Sequence, residues 1–140
     1  MRAHLIVVLS VLFLSACNSA APMRSDEVSR LEEKALNAYR YGDLLAAESY
    51  LHRLLAQQDN DAQGWLLLGN IQLRQQRLNA AQHAYEQAIL RDDSLLLAHH
   101  NLALVYLRLA TQTLINGQAH TSKRSPLLEA LLHLQAPHVP

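Results

Sequence analysis

Chemistry in this chain would have to come from eight histidines, a single cysteine and a spaced set of arginines. His99 and His100 are adjacent, so on a helix they point about 100° apart and cannot ligate one ion from one face. A helical metal site wants His-x3-His or His-Glu-x-x-His spacing, and positions 103 and 104 are Ala and Leu. His52 and His83 fall on helical stretches where part-exposed polar residues are ordinary. Glu32-Glu33 and Asp92-Asp93 are sequence neighbours of the kind usually found on solvated faces and helix ends. No Gly-x-Ser-x-Gly elbow, phosphate loop or dinucleotide fingerprint occurs. The sequence predicts no catalytic residue, no metal site and no cofactor, so it does not read as an enzyme.

Cys17 is a different matter. A short basic start precedes an apolar run, Leu5 to Leu14, that is too short for a permanent membrane span of about 20 residues. Its length is that of a signal-peptide core. It ends in Leu14-Ser15-Ala16-Cys17, which resembles the lipobox of bacterial lipoprotein signals. The resemblance implies a signal peptide over residues 1–16 and a mature chain that starts at an acylated, palmitate-bearing Cys17. Two or more acyl chains make attachment stable. Asn18 stands where an Asp would resemble an inner-membrane retention signal, so the implied address is the outer membrane, with the domain facing the periplasm. An ordinary secretory signal with an incidental cysteine, or an uncleaved anchor, is the alternative. Residues 17–25 are small and polar around Pro22 and read as the lipidated cysteine and a flexible tether.

The elements that must position anything else are helical. Half of the residues are hydrophobic but only 5% are aromatic. Beyond residue 20, Val occurs only at Val28, Val105 and Val139, and Ile only at Ile71, Ile89 and Ile115. A sheet wants β-branched and aromatic residues, whereas Leu and Ala favour helices. The expectation is an all-α domain over residues 26–136. Twelve basic and twelve acidic residues give a formal net charge of +0, which excludes any bulk pull toward nucleic acid.

A shift of 34 residues superposes the chain on itself. Arg40 falls on Arg74 and then Arg108; Ala35 on Gly69 and Ala103; Ala47 on Ala81; Leu55 on Ile89; Asp59 on Asp93. Trp65-Leu66-Leu67-Leu68-Gly69 followed by Ala81, Tyr85 and Ala88 resembles the tetratricopeptide repeat pattern, in which paired helices cross at small residues. The resemblance implies a short helical-hairpin array of about 2.5–3 repeats, near 28–61, 62–95 and 96–117, with a C-terminal capping helix over 126–135. Copy three departs from the pattern: Ile115 stands where the small Ala belongs, and Asn116-Gly117 is a stop signal. Whether its second helix is complete stays open. Ser125-Pro126 reads as an N-cap and first helical residue.

By the same resemblance, the first helix of each repeat lines a partner-binding groove. Carried over by register, that groove holds Leu36, Tyr39 and Arg40; Leu66, Asn70, Leu73 and Arg74; and His100, Leu104, Leu107 and Arg108. Three guanidiniums beside a Leu/Tyr strip suit a peptide carrying carboxylates, because Arg forms bidentate charge-assisted bonds. A merely solvated basic column is the other reading. Leucine is in surplus around Leu95–Leu109 and Leu127–Leu134, so the last helix is expected to pack back on copy three. Residual leucines there are expected to form a self-association or partner surface. Small outer-membrane lipoproteins of this repeat type resemble the pilotins and assembly factors of secretins, pili and secretion systems. The implied function is a lipid-anchored envelope adaptor for such a component, with a regulator of a cell-wall (peptidoglycan) synthase or hydrolase as the alternative.

Overall fold

A computed structural model of the chain describes residues 21–120 and 125–135. The signal peptide expected over 1–16, and Cys17 itself, lie outside the described residues. Six α-helices are described: α1 (Ala21–Arg40), α2 (Leu44–Gln57), α3 (Ala62–Arg74), α4 (Leu78–Arg91), α5 (Leu96–Gln118) and α6 (Pro126–Gln135). No described helix is long and apolar enough to cross a membrane. The architecture is all-α and built from paired helices, and it divides into two compact units, Met1–Gln58 and Asp59–Pro140.

The first unit is the hairpin α1–α2. Its turn follows from Tyr41-Gly42-Asp43. Gly42 takes a left-handed φ of 80°, Asp43 N–H donates to Ala38 O at 2.9 Å, and Gly42 N–H donates to Tyr39 O at 3.1 Å. These are the two bonds of a Schellman stop. Asp43 then starts α2, its Oδ1 accepting from Ala46 N–H at 3.0 Å. Leu31 and Ala35 on α1, and Ala47, Leu51, Leu54 and Leu55 on α2, are buried. Ala21 to Ser25, which fall within the expected tether, lie in α1. Pro22 does not prevent this: first-turn N–H groups have no intrahelical acceptor, so a proline there forfeits no helix bond.

The second unit starts in the same way, with Asp61 Oδ1 capping α3 through Gly64 N–H at 2.9 Å. The α3–α4 turn repeats the Schellman pairing, Arg77 N–H to Gln72 O at 2.9 Å and Gln76 N–H to Leu73 O at 3.1 Å. Here the left-handed residue is Gln76, with φ 59°. Leu66, Ala81, Tyr85, Ala88, Ala98 and Val105 form the core of this unit, with Trp65, Leu73 and Ile89 packed around it. Gly69 has no side chain because Tyr85 takes the room: a Cβ there would lie 2.5 Å from the ring.

Copy three has no second helix of its own. The turn positions Gly42-Asp43 and Gln76-Arg77 correspond to Ala110-Thr111, and Ala110 is the best helix former. Nothing breaks the helix there, so α5 runs unbroken for 23 residues. It ends just after Asn116-Gly117, but without a left-handed glycine: Gly42 is the only positive-φ glycine among the described residues. α6 then packs on α5, and Ser125 Oγ accepts from Leu128 N–H at 3.4 Å at its start.

Candidate functional site

The candidate site residues fall in two units, and each unit has its own geometry. In the first, Arg40 closes α1 and is exposed, while Leu36 and Tyr39 are half-buried on the same helix. Neighbouring surface contacts are an Arg53–Glu27 ion pair at 3.5 Å and Lys34 Nζ 5.7 Å from the centre of the Tyr50 ring. Both pairs are too exposed to contribute much to stability.

In the second unit two of the expected groove residues, Leu66 and Leu73, pack on the core. Leu66 is 6% exposed and belongs to the core, and Leu73 is half-buried against that core. The physical reason lies in helix geometry. Leu66 stands one residue after Trp65 and three before Gly69, and that face of α3 turns toward α4 rather than toward solvent. Asn70 does sit at the edge of this face, but its side chain is occupied with packing. Its Oδ1 accepts from Tyr85 Oη at 2.9 Å and from Asn101 Nδ2 at 2.8 Å. One amide thereby ties α3 to α4 and to α5. Arg74 closes α3 and is exposed, and His100 is exposed in the second turn of α5.

Leu104, Leu107 and Arg108 come together in a small groove on the second unit. Leu134 and Gln135 of α6 complete its wall, and the space has a volume of about 250 Å³. Sequence reasoning missed Leu134 and Gln135 as lining residues. Gln135 Nε2 donates to Thr111 Oγ1 at 2.6 Å and to Leu107 O at 3.3 Å, so α6 runs back along α5 and is pinned at its C-terminal end. Thr111 Oγ1 itself donates to Leu107 O at 2.8 Å.

The α6 helix covers less than its leucine content suggests. Leu128 and Leu131 are buried, whereas Leu127, Leu132 and Leu134 are exposed. Two buried leucines contribute roughly 3–6 kcal/mol before the entropy of ordering the helix is subtracted.

Three of the histidines make local contacts. His99 Nε2 lies 3.0 Å from Asp93 O, His83 meets Trp65 edge-on at 5.9 Å between ring centres, and His52 lies 3.6 Å from Glu48. Among the described residues no group of three or more His, Cys, Asp or Glu is arranged to hold a metal ion. Trp65 Nε1–H donates to Asp59 O at 2.9 Å, and Arg91 stacks 5.0 Å from the Trp65 ring centre while its Nε–H donates to the same carbonyl. Tyr106 Oη donates to Glu86 Oε1 at 3.1 Å. That hydrogen bond, then desolvation and the charge of Glu86, raise the phenol above its ordinary pKa.

This is an all-α, tetratricopeptide-like repeat scaffold capable of protein–protein interaction. Its likeness to a known protein is narrow but clear. Over 46 residues, 33% of the chain, it is 46% identical to the general transcriptional corepressor ssn6 of Schizosaccharomyces pombe. The chain spans 4% of that protein's length. No protein-family model and no solved structure matches the chain.

Proposed function

We propose that the chain is a lipid-anchored adaptor of the bacterial outer membrane that acts by binding a protein partner rather than by catalysis. The observation that carries the binding half is the groove on the second unit, where Leu104, Leu107 and Leu134 surround the half-buried Arg108. An apolar cleft with one oriented cation recognises a peptide through side-chain burial plus a carboxylate. The anchoring half rests on Leu14-Ser15-Ala16-Cys17 and on a chain that follows it at once with small polar residues. An acylated N-terminus would hold the bound component at the membrane, as an assembly factor for a pilus or secretion-system subunit must. The partner-binding surface is exposed to the periplasm in this reading.

Labelling with a radioactive or clickable fatty acid tests the anchor. Wild-type protein should incorporate the label and partition with membranes, and Cys17→Ser should do neither. An unlabelled wild-type protein refutes the lipid anchor. Co-purification from envelope extracts then tests the adaptor role, with Arg74→Ala and Arg108→Ala each weakening recovery of the partner. Recovery unchanged by either substitution returns the arginine column to a solvated face.

A further inference from the structure

Two apolar stripes flank the α5–α6 groove. Leu97, Leu104, Arg108 and Ile115 recur at intervals of seven, four and seven along α5, so they share one face. Leu127 and Leu134 recur at seven along α6 and are 59% and 71% exposed. Because α6 runs back along α5, the two stripes lie side by side with the groove between them. Leucines this exposed, on two adjacent helices, are not accounted for by the packing of the second unit.

The charges decide what can cover them. Arg108 is the only full charge on α5, and the helix has no Asp or Glu. The one carboxylate of α6, Glu129, lies two residues from Leu127 and therefore on the far side of that helix. Among the described residues Arg108 has no hydrogen-bond or ion-pair partner. A second copy is a poor fit, since a two-fold interface sets like surface against like. It would bring a second Arg108 to a low-dielectric seam that carries no carboxylate, and such like-charge contacts are unfavourable.

We propose that the α5–α6 groove is a docking site for an amphipathic helix of another protein, one whose apolar face carries an Asp or Glu that pairs with Arg108. A helix laid between two others buries the flanking leucines as a third member of the layer, with its apolar residues at spacings of three and four. The acidic group fixes register, because only one placement brings it to the single guanidinium. The inference rests on the groove of the adaptor reading above and names the kind of partner that it takes; it depends on neither Arg40, Arg74 nor the anchor.

The test uses the full chain and two synthetic fluorescein-labelled helices, one whose Leu/Ala face carries a single Glu and a twin with that Glu replaced by Lys. Fluorescence anisotropy should give binding of the Glu helix about tenfold or more tighter than of the Lys twin. Leu134→Asp, at a largely exposed position, should weaken the Glu helix by about tenfold or more. Arg108→Glu should reverse the preference between the two peptides, and it decides the matter even if Leu134→Asp disturbs folding. Arg74→Ala should leave both affinities within about twofold, which separates this site from the wider arginine column. Equal affinities for the two peptides, or no binding of the Glu helix at about 1 mM, would overturn the proposal. So would a wild-type chain that sediments as a dimer and becomes monomeric on Leu134→Asp, because the occupant would then be a second copy.

Discussion

The hairpins α1–α2 and α3–α4 are the same 34-residue design with different residues at the same places. Ala35 and Leu51 in the first correspond to Gly69 and Tyr85 in the second. All four are buried, Ala35 and Tyr85 completely. Where one helix gives up its last carbon, the other gains a ring. What the repeat preserves is the summed volume at the crossing, as close packing requires. The third copy shows what happens when the partner is missing. Ala103 occupies the same register as Ala35 and Gly69 but is exposed, since residue 119, the counterpart of Leu51 and Tyr85, lies beyond the end of α5.

That comparison can be broken most sharply at Gly69. Gly69→Ala puts a Cβ 2.5 Å from a fully buried aromatic ring. Overpacking costs about 1–3 kcal/mol, and a contact this close belongs at the upper end. The gain in helix propensity offsets at most about 1 kcal/mol. Urea unfolding should show a net loss of about 2 kcal/mol for the second unit. Adding Tyr85→Leu recreates the Ala/Leu pair of the first hairpin, so the double variant should be more stable than the sum of the two single changes predicts. Strict additivity would show that the two positions do not share one volume.

A middle-sized effect separates the two second helices. Asp43 caps α2 through its side chain, but its counterpart Arg77 starts α4 with no side-chain cap. Asp43→Ala should cost about 1 kcal/mol, whereas Arg77→Ala should change stability by less than about 0.5 kcal/mol. Thermal melts followed by circular dichroism resolve the difference. Equal losses at the two sites would mean that the cap bond contributes nothing to α2.

Much of this was legible in the sequence, for physical reasons that also mark where legibility ends. The helical class follows from Leu and Ala content, and the first two hairpins follow from the 34-residue period and from the small residues at the crossings. The boundary of α6 is set by local chemistry, a Ser-Pro start that reads directly. The groove did not read as well. Leu66 and Leu73 are one-letter twins of surface leucines, and only the rotation of α3 against α4 tells which face each occupies. The long α5 was also hidden: an absent turn signal at Ala110-Thr111 is weaker evidence than the Asn116-Gly117 stop that follows. The return of α6 was legible in its leucines, but not that Leu134 and Gln135 would wall the groove: that placement is set by the Gln135–Thr111 bond across 24 residues, which no local pattern encodes.

The smallest expected effect concerns the two turns, and it has the opposite sign. Both hairpins close with the same pair of backbone bonds, and both need one left-handed residue to make them. Gly42 takes φ 80° without strain, but Gln76 takes φ 59° with a Cβ close to the following carbonyl oxygen. That conformation costs a residue with a side chain about 1–2 kcal/mol. Gln76→Gly removes the cost, while the freer unfolded chain returns about 0.4–1 kcal/mol of it. The exposed Gln76 side chain takes no buried contact with it. The net should be a stabilisation of about 0.5–1 kcal/mol, seen as a higher urea midpoint with an unchanged slope. The reciprocal change, Gly42→Gln, should cost the first hairpin a similar amount, so exchanging the two residues should leave the sum nearly constant. If Gln76→Gly proves neutral while Gly42→Gln destabilises, the two turns are not energetic equivalents, and the α3–α4 turn relieves its strain in a way that the α1–α2 turn cannot.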